Sequence, residues 1–283
     1  SYFRWQVPAD GEYALRIADH LNRGGPEFVY RVEFQEVKPS LTAGIPRNAR
    51  YSQTRQQIYV PRGNRFGTII SADRLNFGGE LTIDDLVLPP GITMTALPMP
   101  ANLNTMPVVF EASVDAPMAG ALVDFRLKST DPALNVTGRF NNRADFVIAG
   151  PGQSLYAWKD VDRLPVATIE ELPFKLELIQ PNVPIVRNGM MMLKIVATKK
   201  EGWDEEIRVQ FPFRSPGVGA NSEIVIAKGQ TEGLYQINAD ANAAMGKWPM
   251  YAIGWANNNG ASWGSTQMAS LEVADPYVGM TVQ

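Results

Sequence analysis

The chain has 283 residues, with 26 lysines and arginines against 29 aspartates and glutamates, a single histidine (His20) and no cysteine. This excludes a cysteine nucleophile, a dithiol redox pair, a Cys/His zinc site and an iron–sulfur cluster, and any Ser-His-Asp triad would have to use His20. The net charge of −3 is interspersed along the chain, so it offers neither the electropositive face that nucleic acid requires nor a basic arm for an anionic membrane.

Apolar residues make up 45% of the chain, enough to fill the cores of two or three domains of roughly 100–150 residues. No apolar run approaches the roughly 20 residues of a membrane span, so no membrane insertion is expected, and the N-terminus lacks the basic-then-apolar pattern of a signal peptide. The 24 glycines and 21 prolines are scattered, and the segments between them are short and rich in Val, Ile, Phe and Tyr. This is the punctuation of an all-β protein.

In chain order, strands are expected at Phe3–Val7, Tyr13–Ala18, Phe28–Gln35, Gln57–Val60, Gly67–Ala72, Leu81–Asp85, Ile92–Ala96, Val108–Val114, Leu122–Lys128, Phe146–Ala149 and Val166–Leu172. They continue at Pro184–Arg187, Met191–Thr198, Ile207–Phe211, Glu223–Ile226, Gly233–Ala239, Trp248–Gly254 and Met268–Val273. Alternation assigns faces: Val123, Phe125 and Leu127 point one way, and Asp124, Arg126 and Lys128 the other. No stretch of a dozen residues carries a 3.6-residue period, so helix should be scarce.

Residues 57–127 lie on residues 183–253 at an offset of 126. Phe77-Gly78-Gly79-Glu80-Leu81-Thr82-Ile83 then falls on Trp203-Asp204-Glu205-Glu206-Ile207-Arg208-Val209, and Pro90-Gly91-Ile92 on Pro216-Gly217-Val218. Val108–Ala112 matches Tyr235–Ala239 one residue out of step, and Gly120 returns to register with Gly246. A repeat of this length fits tandem β-sandwiches rather than a solenoid. Phe77 and Trp203 are expected to cap the sandwiches, and each Pro-Gly pair to make a type II turn, with proline fixing the first φ and glycine supplying the positive one.

The first forty residues, from Phe3-Arg4-Trp5-Gln6-Val7-Pro8-Ala9-Asp10-Gly11-Glu12-Tyr13 through Tyr30-Arg31-Val32, resemble the closing strands of a bacterial pre-peptidase C-terminal (PPC) domain. The two repeated units resemble the bacterial immunoglobulin-like modules that follow such domains in long exported multi-module proteins. The resemblance implies a partial jelly-roll-like β-sheet at 1–40, a linker at 41–56, and immunoglobulin-like sandwiches at 57–180, with an insertion at about 129–165, and at 181–283. It also implies an extracellular, cell-surface or periplasmic location and a longer parent chain.

Candidate chemistry is sparse. His20 lies in the polar Asp19–Gly25 loop with no Gly-x-Ser-x-Gly elbow elsewhere, and Arg23-Gly24-Gly25 precedes no helix that would bind phosphate. The carboxylate pairs Asp84-Asp85, Asp160 with Asp162, Glu170-Glu171 and Glu205-Glu206 are the only glycosidase-type candidates, but adjacent strand residues face opposite sides. Calcium is the one cofactor for which the sequence offers ligands, through Asp10 with Asp19, Asp160 with Asp162, and Asp204 with Glu205. Trp248, expected on an outer strand face, and Trp263, expected in the Asn257–Gly264 loop, are candidates for stacking on a glycan, while Trp5, Trp158 and Trp203 read as core or cap residues. Asn135-Val136-Thr137 has the form of a glycosylation sequon and is expected to be unused in a bacterial protein.

The sequence therefore implies a non-catalytic structural, spacer or adhesive segment. Its expected partners are other protein modules or copies of itself, with cell-surface glycan as the ligand of an alternative, carbohydrate-binding accessory role beside a hydrolase.

Overall fold

The computed structural model describes residues 3–48, 52–148 and 155–277. All regular structure among them is strand. In chain order these are β1 (Ser40–Gly44), β2 (Ile58–Pro61), β3 (Arg65–Leu75), β4 (Leu81–Ile83), β5 (Ile92–Ala96), β6 (Thr105–Ala112), β7 (Gly120–Val123), β8 (Arg126–Ser129), β9 (Thr137–Phe140), β10 (Asn142–Ile148), β11 (Leu155–Val161) and β12 (Leu164–Ile169). They continue with β13 (Phe174–Leu178), β14 (Ile185–Val186), β15 (Met190–Lys199), β16 (Ile207–Gln210), β17 (Val218–Ala220), β18 (Ile224–Ile226), β19 (Glu232–Ala239), β20 (Gly246–Met250), β21 (Ile253–Asn257), β22 (Ala261–Ser265) and β23 (Ala269–Ala274).

Two compact units are distinguished, residues 1–37 and 38–283. In the first, the expected strands Phe3–Val7, Tyr13–Ala18 and Phe28–Gln35 do not form: none of the described residues up to Val37 belongs to a ladder. The alternation is present, but Phe3, Trp5, Val7, Tyr13, Leu15, Ile17, Phe28, Tyr30, Val32 and Phe34 are all exposed. A β-sheet needs a neighbour for its backbone groups and cover for its apolar face, and this unit supplies neither. Its local contacts include an edge-on Trp5–Tyr13 pair 4.8 Å apart and the Asp19–Arg23 ion pair at 2.8 Å.

The second unit contains two sandwiches of immunoglobulin type that share most of their strand pairing, although the β1–β9 pair occurs in the first alone and the β16–β18 pair in the second alone. In the first, β3 lies between β1 and β6, β6 also pairs with β5, β4 pairs with β8, and β12 runs parallel to β2 and antiparallel to β7. In the second, β15 lies between β13 and β19, β19 also pairs with β17, β16 pairs with β21, and β23 runs parallel to β14 and antiparallel to β20. The internal repeat is therefore a repeat of topology.

Several boundaries move. The stretch expected as a linker contains β1, which pairs with β3 and with β9 and buries Leu41 and Ala43. The second sandwich begins before residue 181: Leu172, Phe174, Leu176 and Leu178 lie in its core. Leu122–Lys128 is two strands, broken where Asp124 and Phe125 leave the ladder, yet Val123, Phe125 and Leu127 are buried as alternation required. The same break separates β20 from β21. The expected strand at Phe146–Ala149 is part of β10, with Ala149 lying outside the described residues.

The insertion is also narrower than 129–165. β9 is integral to the first sandwich, pairing antiparallel with β8 and parallel with β1, as β22 pairs with β21 in the second. What the second sandwich lacks is the hairpin β10–β11; there, Thr266–Met268 alone lead from β22 to β23.

Both Pro-Gly turns carry the expected positive φ, +78° at Gly91 and +80° at Gly217. A Cβ at Gly91 would lie 2.9 Å from the Ala116 Cα, and one at Gly217 2.5 Å from the Ala243 Cα. Each turn thus needs glycine twice over, for its backbone conformation and for the close approach of a buried alanine.

Candidate functional site

The expected site residues are scattered and mostly paired with cations. Asp19 meets Arg23, Asp160 meets Arg143 at 3.1 Å, Asp162 meets Arg163 at 3.4 Å, Asp204 meets Lys199 at 2.6 Å and Glu205 meets Lys228 at 2.7 Å. Asp10 is exposed. Among the described residues, no three His, Cys, Asp or Glu side chains come together as metal ligands. Of the glycosidase-type pairs, Asp84 binds Lys128 at 2.8 Å, Glu170 lies 3.7 Å from Arg62, Glu171 binds Lys200 and Glu206 binds Arg208 at 3.1 Å.

These pairings act against acid catalysis. Hydrogen bonds from Lys128, Lys200, Lys199 and Arg23 hold the carboxyls of Asp84, Glu171, Asp204 and Asp19 below their ordinary values. A general acid working near neutrality needs the opposite shift. His20 is exposed, with Nδ1 3.6 Å from Asp19.

Trp248 is half-buried on β20. Its indole N–H donates to the Ala244 carbonyl at 2.8 Å, and its ring packs on the second core. The cavity beside it, lined by Leu193, Phe211, Val218, Met250 and Leu271 among others, holds only about 10 Å³, too little for more than a single water. Trp263 lies in strand β22 rather than in a loop, and the Arg55 guanidinium sits 4.8 Å from its ring centroid. The two tryptophans belong to different sheets. Of the remaining tryptophans, Trp203 is half-buried and stacks on Phe174 at 5.6 Å, whereas Trp5 and Trp158 are exposed rather than core residues.

The densest chemistry lies where the two sandwiches meet. Tyr251, in the connection between β20 and β21, is buried in the core of the first sandwich rather than its own, together with Phe213 and Ile253. Its ring lies against the backbone of β3: a Cβ on Gly67 would come within 2.2 Å of it. Asn64 is buried at the same border and donates through Nδ2 to the Phe174 carbonyl at 2.8 Å, while Lys175 Nζ donates to the Gly63 carbonyl at 3.1 Å. Each bond joins the start of one sandwich to the body of the other.

A pair of tryptophan rings flanked by two arginines crosses the same border. Arg208, held by Glu206 and Glu223, sits 5.7 Å from the Trp255 ring centroid; Trp255 is 5.9 Å from Trp263; and Arg55 covers Trp263 from the first sandwich. Burial pushes the Tyr251 phenol well above its ordinary value, opposed by the nearby charge of Arg55, and burial pulls the Arg55 guanidinium below its own. The repeat offset of 126 places Tyr251 on Phe125, a buried position, but not in the neighbouring core, and nothing in the sequence marks Asn64 or Arg55.

No protein-family model and no curated protein matches the chain. Among solved structures it is similar to the fibronectin(III)-like modules of Clostridium thermocellum CbhA, at 10% identity over 86% of this chain and 99% of that one, with a TM-score of 0.26. Domains 5–6 of the S-layer protein SbsC match at 14% identity over 84% and 99% of the two chains, with a TM-score of 0.31. The D00–D0 domain of intimin matches at 12% identity over 82% and 98%, with a TM-score of 0.25.

Proposed function

We propose that the chain is a non-catalytic spacer segment of an exported bacterial cell-surface protein, in which the paired sandwiches hold neighbouring modules at a fixed separation and assemble through protein contacts. The observation that carries this reading is the junction. Tyr251, Phe213 and Ile253 of one sandwich complete the core of the other, so bending the pair would expose apolar surface at roughly 25 cal/mol per Å². Shared apolar burial of this kind opposes the relative motion that is the default between domains of one chain. The export and bacterial elements of the reading rest on the resemblance of residues 3–32 to a PPC domain and of the repeated units to bacterial immunoglobulin-like modules.

Because the chain has no cysteine, a Thr95→Cys, Lys247→Cys variant places one spin label on each sandwich without interference. A single narrow distance distribution is the expected result. A broad distribution, or hydrolysis of glycoside, ester or peptide substrates by the purified chain, overturns the reading.

A further inference from the structure

Four residues, Glu170-Glu171-Leu172-Pro173, join β12 of the first sandwich to β13 of the second. A connection this short keeps the sandwiches adjacent without choosing the angle between them. The burial of Tyr251, Phe213 and Ile253 holds one surface against the other, but hydrophobic burial is non-directional. A hydrogen bond is directional, and it weakens steeply as the donor turns away from its acceptor. The bonds that cross the junction are therefore where an angle can be specified.

The turn at residues 61–64, between β2 and β3, holds both ends of the connection. At the near end the Arg62 N–H donates to the carbonyl of Ile169, the last residue of β12, at 3.1 Å, and the Arg62 guanidinium lies 3.7 Å from Glu170. At the far end Asn64 Nδ2 donates to the carbonyl of Phe174, the first residue of β13, at 2.8 Å. The turn is itself fixed to the first sandwich: the Gly63 N–H donates to the Ser113 carbonyl and the Ala112 N–H to the Asn64 carbonyl, both at 3.1 Å. Asn64 Oδ1 accepts from the Arg65 N–H at 2.8 Å, which fixes the amide and leaves Nδ2 to reach across the border. The acceptor is equally fixed, since Phe174 is buried in the second core with its ring stacked on Trp203.

We propose that this turn is a latch on the connection and that Asn64 is the positioning residue that sets the angle between the sandwiches. Asn64 and Phe174 are both buried, so an angle that broke their bond would strand a donor where no water replaces the lost acceptor. Lys175 Nζ spans the same gap to the Gly63 carbonyl, but from an exposed residue whose flexible stem can follow a rotation. Between the two held ends, Glu171 binds Lys200 Nζ and the Pro173 carbonyl accepts from the Lys200 N–H at 2.8 Å, so this half of the connection moves with the second sandwich. The Asn64–Phe174 bond is thus the fixed point between two bodies that are each internally braced.

The inference deepens the spacer reading and rests on it, because a fixed separation requires a fixed angle. It is tested in the full chain with the Thr95→Cys, Lys247→Cys label pair. Asn64→Asp keeps the acceptor for the Arg65 N–H and removes only the donor to Phe174, and it should replace the single narrow distance by a displaced distance or by several. Asn64→Ala, which places no charge in the junction, should do the same and serves where the aspartate variant does not fold. Lys175→Met should leave the distance in place. A lower melting temperature with the mean and width of the distance retained in Asn64→Ala overturns the proposal, because a purely structural residue would behave in that way. So does a Lys175→Met variant that moves the distance as far as Asn64→Ala. A broad distribution before any of these substitutions removes the spacer reading and this inference with it, whereas a narrow distance that Asn64→Ala leaves unmoved removes the inference alone.

Discussion

Phe125 and Tyr251 occupy the same place in the two sandwiches, at the break that divides one long strand into two, and both are essentially inaccessible to solvent. Phe125 packs inside the sandwich that carries it, at 6.5 Å from Phe140, whereas Tyr251 leaves its own sandwich and fills the other, against Gly67. Their difference shows how a repeated scaffold acquires a specific junction. Most of the pairing scheme is copied, while one core position is turned outward and matched by a glycine on the neighbour.

Removing the two side chains is the strongest way to break this comparison. Phe125→Ala and Tyr251→Ala should each cost about 3–5 kcal/mol, read by denaturant unfolding. Phe125→Ala should destabilise the first sandwich alone, whereas Tyr251→Ala should also broaden the distance distribution between labels on the two sandwiches. Equal effects on that distribution would remove the distinction.

Gly67→Ala attacks the same contact from the other side. Its Cβ would overlap the Tyr251 ring, an overpacking that costs about 1–3 kcal/mol. A Gly67→Ala, Tyr251→Ala double variant should be more stable than the sum of the two single effects predicts, because the added methyl then enters the vacated space. The two Pro-Gly turns sharpen the likeness of the sandwiches instead. Gly91→Ala and Gly217→Ala should each cost about 1–3 kcal/mol from the positive φ and the approaching alanine, and a large disparity between them would argue against equivalent turns.

Alkaline pH separates the two aromatics chemically. The folded chain holds the Tyr251 phenol protonated to a higher pH than the unfolded chain does. Stability is therefore unaffected by this group below about pH 10 and falls as the pH rises above it. Tyr251→Phe should remove part of that fall; the remainder comes from other buried phenols such as Tyr235, whose phenol burial also raises. The smallest expected effect is on stability when Phe146–Ala157 is replaced by a two-residue turn joining Asp145 to Trp158, which leaves the contacts of Asn142, Asp145 and Val161 with the first sandwich in place. The melting temperature should move little, because among the described residues neither hairpin strand pairs with a strand of the first sandwich.

The legible part of the fold was local. Alternation placed β3, β4, β5, β6 and β15 closely, and the Pro-Gly pairs marked turns that occur where the repeat put them, because side-chain period and glycine φ are properties of a few adjacent residues. The strands that were missed are β1, β9, β11, β13, β17 and β22; β1 and β9 owe their pairing to each other across a long stretch of chain, whereas β11 and β22 close hairpins with β10 and β21. β9 lies between β8 and β1. The converse failure was Phe3–Gln35, where three alternating segments found no neighbour.

Length, composition and period by themselves determined that the chain is built of strands, that two of its parts repeat, and that thiol and zinc–thiolate chemistry are absent. They also set which residues of Leu122–Lys128 face inward. Only the tertiary structure decided that Tyr251 is buried across a junction and not within its own sandwich, that Trp263 is covered by Arg55, and that Phe146 and Tyr156 stand exposed on a hairpin. The reason is physical: a side chain's face follows from its immediate neighbours, whereas what covers that face is set by which distant strand arrives there.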